Sequence, residues 1–244
     1  MLEGKTAFVT GGTGAVGAAI VRCFAGHGAQ VAFSYHSAAA KAAQLEQELN
    51  QQGRRAKAYP LDQLDSGAVA KLVEPIEHDL GPVDILVNNA GITQILPFAL
   101  IEEEDWDRMM DVNVKGMFLV TKAFIRPMIR RQRGAVVNLG SLAGVRVLEV
   151  PVHYATAKSA VVGFTLSLAR EVSRYGIRVN AVVPGLLTDG VSQHVPDKQR
   201  KDYTDHCTLG RAGTPEEVAE LVAFLASDQA AYVNAQAIQI DGGI

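Results

Sequence analysis

The stretch HYATAK, residues 153–158, sets a phenol and an amine four residues apart. It reads as helix, and at helical spacing Tyr154 and Lys158 share one face. An unperturbed tyrosine titrates near 10, too high for an efficient proton donor or acceptor at neutral pH. A neighbouring ammonium stabilises the phenolate and lowers that value. The pair therefore predicts an acid and its electrostatic helper. Ser141 follows a strand-like run, GAVVNLG, thirteen residues before the tyrosine. Its hydroxyl can donate a hydrogen bond to the oxygen that Tyr154 protonates, in the manner of an oxyanion site. His153 is adjacent by sequence only, since neighbours on a helix project about 100° apart.

A second chemical signal lies near the start. TGGTGAVG, residues 10–17, sits between a β-rich run and a helical stripe of Val16, Ile20 and Phe24. Glycines there let the backbone turn tightly and approach a pyrophosphate at the helix N-terminus. Gly11 and Gly17 bracket the turn, and Gly12, Thr13 and Val16 complete the expected phosphate contacts. NAD sites usually carry an acid about 20 residues further on, against the adenosine ribose. No acid occurs between Glu3 and Glu46, and the second strand ends in SYHS. His36 and Ser37 can hydrogen-bond a 2′-phosphate that a carboxylate would repel. The expected cofactor is NADP(H) rather than NAD(H).

These groups need a frame. Strand-like runs at 5–10, 30–35, 55–61, 83–89, 134–140, 177–185 and 235–243 alternate with helical patterns at 15–28, 38–53, 66–80, 103–131, 152–175 and 214–227. VDILVNN is apolar nearly throughout, as in a parallel strand buried on both faces. Thr214, Pro215 and Glu217 form a helix start with a capping box. The alternation predicts one Rossmann-type, doubly wound α/β domain over residues 1–244, with about seven parallel strands and helices on both faces. The polar segment 186–212 breaks the rhythm. It is expected to form a substrate lid at the C-terminal end of the sheet, with a solvated excursion as the alternative. His194 and His206 fall in it and are expected to be solvated. EEED (102–105) reads as an acidic first turn, and Trp106 as a packing residue.

Composition narrows the function. The chain has 244 residues, 48% hydrophobic, with a net charge of -3. It has no basic stripe, so nucleic acid is not an expected partner. Its apolar runs fall short of the ~20 residues that span a bilayer, and no signal-peptide layout opens the chain. Cys23 and Cys207 make neither a disulfide framework nor a zinc site, so a reducing cytoplasm and no metal are expected.

With the glycine turn, NNAG at 88–91, Asn113-Val114, Ser141 and YATAK in this order, the chain resembles the short-chain dehydrogenase/reductase family over essentially its whole length. Within it, VDILVNNAGIT, GFTLSLAREVSRYGIRVNAVVPG and the closing DGG are most similar to β-ketoacyl-acyl-carrier-protein reductases and to acetoacetyl-CoA and polyketide ketoreductases. The resemblance implies a catalytic set of Asn113, Ser141, Tyr154 and Lys158, with Asn113 holding a water that links Lys158 to solvent. It implies Asp62 and Gln63 by the adenine, and Asn89 by the cofactor ribose with Ala90 and Gly91 in the cofactor set. It places Pro184, Gly185 and Leu187 by the nicotinamide, and implies a homo-oligomer, dimer or tetramer. The sequence departs from the family pattern in three places. Ala15 replaces the middle glycine of the turn, Gly14 stands where NADP-using members often carry arginine, and the carboxamide position falls on Thr188 or Asp189.

The reaction implied is reduction of a 3-oxo group on a carrier-linked thioester. The same scaffold also serves dehydrogenases of alcohols, sugars and polycyclic ketones. A non-catalytic dinucleotide sensor would be expected to lack Tyr154 or Lys158, and both are present. Arg130, Arg131 and Arg133, and again Arg170, Arg174 and Arg178, form basic clusters. They fit either surface solubility or docking of an acidic acyl carrier protein or coenzyme A phosphates.

Overall fold

A computed structural model describes the backbone of residues 1–244 and every side chain but that of His194. The strands are β1 (Thr6–Val9), β2 (Gln30–Tyr35), β3 (Ala56–Pro60), β4 (Ile85–Asn88), β5 (Gly134–Leu139), β6 (Ile177–Pro184) and β7 (Ala237–Ile240). All pair in parallel, in the order β3-β2-β1-β4-β5-β6-β7. The winding direction reverses between β1 and β4, and a crevice opens there beyond the strand ends. The helices are α1 (Ala15–Gly26), α2 (Ala39–Gln51), α3 (Ser66–Leu80), α4 (Glu103–Met110), α5 (Gly116–Arg131), α6 (Val152–Val172), α7 (Asp197–His206) and α8 (Pro215–Ala226).

Side-chain alternation explains why the central strands are largely apolar on both faces. Ala7, Val9, Val31, Phe33, Ile85 and Val87 enter the core that α1 and α8 cover. Phe8, Ala32 and Leu86 point the other way, into the core of α3, α5 and α6. Successive residues of a strand face opposite sides, so a strand between two helical layers has no polar side to offer water. Phe8 stacks on Phe124 across the second layer, with ring centroids 4.6 Å apart. The single α/β domain and seven-stranded parallel sheet expected from the sequence are both present. So is the capping box of α8: Glu217 N donates to Thr214 Oγ1 at 3.2 Å, and Thr214 N to Glu217 Oε2 at 2.8 Å. No helix among the described residues is long and apolar enough to cross a membrane.

Two regions differ from the sequence reading. The expected helix over 103–131 contains a π-helical segment at Asp111–Lys115, between α4 and α5. Periodicity cannot show this, because the wider turn is set by what Asn113 touches. The segment 186–212 is more ordered than a polar excursion. It carries a 3₁₀ turn at Gly190–His194 and then α7. The side chain of His194 lies outside the described residues. Tyr203 donates to the carbonyl of Asp241 at 2.8 Å, and Thr208 to that of Gly243 at 2.7 Å, tying the segment to the chain after β7.

Candidate active site

One cleft of about 1490 Å³ lies along the C-terminal ends of the strands. Its walls include Gly11, Thr13, Val16 and Gly17 from the first turn, His36 and Ser37 after β2, and Asp62 and Gln63 after β3. Asn89, Ala90 and Gly91 follow from the end of β4, then Asn113, Ser141, Tyr154, Lys158, Pro184, Gly185 and Leu187. Six strand ends, the π-helical segment and α6 thus deliver nearly every residue singled out from the sequence to one space. Gly12 is the exception. Its amide donates to Ser34 O at 2.8 Å, and a methyl on it would come within 2.6 Å of the Phe33 ring, so it packs against β2 instead of lining the cleft.

The turn is built as a cradle. Gly11 has φ +66°, a conformation that glycine adopts at little cost. A methyl on Gly17 would strike the carbonyl oxygen of Gly11 and come within 2.7 Å of Asn89 Nδ2. Asn89 Nδ2 already donates to Thr10 O and Gly11 O, at 2.9 and 3.1 Å, so this side chain locks the turn. Gly11 N donates to Ser34 Oγ at 3.2 Å. Helix α1 begins at Ala15 with no side-chain cap, leaving its first-turn amides available to an anion. Ala15 lines the cleft. The residues present therefore fit a dinucleotide pyrophosphate.

At the other end stand the phenol and the amine. Lys158 is buried, its Nζ donates to the carbonyl of Leu139 at 3.0 Å, and it lies 5.8 Å from the centroid of the Tyr154 ring. Burial pushes the Lys158 ammonium down to about 8. Burial also pushes the Tyr154 phenol up, and a hydrogen bond with Ser141 opposes that shift. The shift runs opposite to the expected depression: loss of water is the larger cause, and Ser141 is what opposes it. Ser141 sits where β5 ends, its Oγ accepting from Ala143 N at 3.2 Å.

Asn113 is buried in the π-helical segment, with its amide fully engaged. Its Nδ2 donates to Ile92 O and Met109 O, at 3.1 and 3.0 Å, and its Oδ1 accepts from Ile92 N at 3.3 Å. The wide turn places Asn113 so that it clamps the backbone after β4. Both of its amide protons are thereby spent on backbone carbonyls.

Asp62 accepts from Leu64 N at 2.9 Å, and Gln63 donates to Val112 O at 2.8 Å, so both brace the cleft wall. Asp189 lines the cleft and Thr188 does not, yet Asp189 is engaged by Gly190 N and Gln193 Nε2. His153 is fully buried and outside the cleft; its Nε2 pairs with Gln94 Oε1 at 3.3 Å, and Gln94 Nε2 donates to Asp105 at 2.7 Å. His206 lines the cleft.

The basic clusters divide. Arg131 pairs with Glu77 at 2.9 Å, Arg133 with Asp84 at 2.6 Å, and Arg178 donates to the carbonyls of Leu225, Val233 and Ser227. These three brace the fold, which leaves Arg130, Arg170 and Arg174 exposed. Ile92 and Tyr203 are among the wall residues that had no sequence signal. Ile92 is read only through its backbone. Tyr203 reaches over Gly185 so closely that any side chain there would collide with its hydroxyl.

A family model described as enoyl-(acyl carrier protein) reductase matches residues 12–244. The 3-oxoacyl-acyl-carrier-protein reductase FabG of Thermotoga maritima is 37% identical over 243 residues, covering 100% of this chain and 98% of that protein. A gluconate 5-dehydrogenase from Burkholderia cenocepacia, solved with NADP and tartrate, superposes with a TM-score of 0.93 at 30% identity, covering 99% of this chain and 95% of that one. A blue fluorescent protein from a metagenomic library, solved with NADPH, gives 0.90 at 38% identity, covering 99% and 98%.

Proposed function

Because the chain belongs to the short-chain dehydrogenase/reductase family, we propose that it uses NADPH to reduce the 3-oxo group of an acyl thioester, on acyl carrier protein or coenzyme A, to a secondary alcohol. One observation carries this reading: Ser141, Tyr154 and Lys158 share a single cleft with a glycine cradle and an apolar far wall. That wall draws on Leu96, Leu148, Val150, Val191, Val195 and Ile244, while Glu149, Gln199, Asp202 and His206 line the same cleft. The apolar wall suits an acyl chain better than a polyol, whose hydroxyls would lose hydrogen bonds to water there.

The reduced nicotinamide, when bound, supplies hydride to the carbonyl carbon. Tyr154 gives its proton to the oxygen that gains charge. The phenol is protonated at neutral pH, the form a donor needs in the reducing direction. Ser141 holds the same oxygen by a second hydrogen bond. Lys158 places a charge beside both and can hold a ribose hydroxyl. The proton returns to Tyr154 through Lys158 and a water on the Asn113 carbonyl. Thr13, Val16 and Gly17 would hold the pyrophosphate, Asp62 and Gln63 the adenine, and Asn89 to Gly91 the ribose. Pro184, Gly185 and Leu187 would lie by the nicotinamide, and His36 and Ser37 would receive the 2′-phosphate. Segment 186–212 acts as the lid over the acyl chain. Names within the family cover carbonyl and enoyl reduction, and two hydroxyls converging on one oxygen favour the carbonyl.

The test is NADPH oxidation against acetoacetyl-carrier protein, acetoacetyl-CoA, a simple ketone and the keto acid of a sugar. The thioesters should exceed the sugar acid at least tenfold in kcat/KM, and NADPH should exceed NADH by a similar factor. A sugar acid that equals the thioesters, as for a gluconate-type enzyme, overturns the substrate reading. Preference for NADH overturns the cofactor reading.

The chain also leaves Phe118 on α5 and Val152 and Leu166 on α6 exposed. We infer that these faces join copies into a dimer or tetramer; light scattering giving a stable monomer at micromolar concentration would refute it.

A further inference from the structure

Away from the cleft, helices α1 and α8 bring together a thiol, an imidazole and a carboxylate. Cys23 lies on α1 and His27 caps the end of that helix four residues later, its N still donating to Cys23 O at 2.9 Å, so the two share one face. Glu220 of α8 meets them from across the helix pair. His27 Nε2 lies 3.0 Å from Glu220 Oε2, and one ligand atom from each of the three residues falls within 4.8 Å of the others. Cys23 and His27 are half-buried, and Glu220 is exposed. None of the three lines the catalytic cleft.

We propose that Cys23, His27 and Glu220 form a binding site for a thiophilic divalent cation of the zinc class. Bond lengths of about 2.0–2.3 Å around a tetrahedral ion require ligand atoms roughly 3.3–3.8 Å apart. The His27–Glu220 pair is already near that spacing, and modest rotamer changes bring in the thiol. Sulfur and nitrogen donors select zinc over magnesium or calcium, which take oxygen ligands. Three protein ligands leave a fourth position for water. On binding, the thiol proton passes to solvent and the sulfur becomes a thiolate ligand.

The site's place in the fold gives the ion a structural task. The packed side of α1 carries Ile20 and Phe24 into the core that α8 closes with Val218 and Val222. An ion held from both helices fastens the edge of that packing. Cys23 lies eight residues beyond Ala15, about 12 Å along the axis from the cradle, so the ion stays clear of the hydride chemistry. The two-cysteine count had argued against zinc. That argument covers only all-cysteine sites, and this one uses a single thiol.

The experiment uses the full chain, stripped with a chelator and dialysed. Zinc is titrated against a chromophoric competitor. Cadmium is added separately to read the ultraviolet thiolate-to-metal charge-transfer absorption. The expected result is one equivalent bound with a Kd at or below about 1 µM, a cadmium–thiolate band, and a melting temperature raised by roughly 5 °C at saturating zinc. Cys23→Ser should abolish the band, and Glu220→Gln should weaken zinc binding at least tenfold. His78→Asn, on an exposed histidine elsewhere, should change neither. Unaltered zinc binding in Cys23→Ser, absence of the cadmium band, or a Kd weaker than about 100 µM would show that these residues form only an ion pair beside a thiol, and would overturn the proposal.

Discussion

Tyr154→Phe is expected to lower kcat for ketone reduction by about 10³-fold, within the range that positioned acids contribute, while NADPH binding stays within about twofold. The substitution removes one oxygen and leaves the ring in place. Tyr154 is half-buried, and its hydroxyl has Ser141 as its hydrogen-bonding neighbour. The cradle of Gly11, Thr13 and Gly17 lies at the other end of the cleft and is untouched. Single-turnover rates and fluorescence titration of NADPH separate the two effects. A variant that keeps more than a tenth of the activity would remove Tyr154 from the proton path. A large loss of cofactor affinity would instead assign the tyrosine a binding role.

Lys158→Met should have opposite effects on activity and stability. Activity should fall by about 10²-fold or more, since the charge beside the phenol and the relay both disappear. The bare protein should become more stable by about 1–2 kcal/mol. Its buried ammonium titrates near 8 in the folded chain, against 10.5 for the ordinary lysine value. That difference is roughly 3 kcal/mol of unfavourable burial at 1.36 per unit. The lost hydrogen bond to Leu139 O offsets part of it.

The pH window follows from the sign of the shift. Below pH 8 the lysine is charged in both states, and the cost of burying it is fully present. Between 8 and 10.5 the unfolded chain binds more protons than the folded one, so wild-type stability rises through that interval. The variant lacks this rise, so its advantage is greatest below pH 8 and fades towards 10.5. Urea unfolding at pH 7 and pH 10 measures it, and an equal difference at both would refute the account. A site residue that weakens its own fold is a common trade between stability and activity.

The parts of the molecule legible in the sequence are those governed by local rules. Apolar runs gave the strands, the Thr214–Glu217 pair gave a helix start, and the glycine spacing gave the cradle. All are set by residues within a few positions of one another. What was not legible depends on distant partners. Arg131 and Arg133 look like a docking patch until Glu77 and Asp84 are brought beside them. Gly12 looks like a phosphate contact until Phe33 packs on it. Tyr203 over Gly185 and Glu220 beside His27 join positions far apart in the chain. The sign of the Tyr154 shift was missed for a related reason: spacing gives the nearness of an ammonium, but only the packed structure gives the loss of water.

The π-helical segment has a consequence in terms of rotational phase. Across Asp111–Lys115 the backbone pairs i to i+5, one residue wider than the i to i+4 pairing of an α-helix. The extra residue turns everything before it by roughly 100° relative to everything after it. Facing α4 one way and α5 another thereby becomes possible within one continuous rod. Deleting Val112 would restore an even winding that is locally more favourable. It would also bring the two faces into line, swing Asn113 away from Ile92, and release the backbone that follows β4. The wide turn therefore acts as a phase shifter, whose one added residue keeps two packing surfaces out of step so that a third element can be gripped between them.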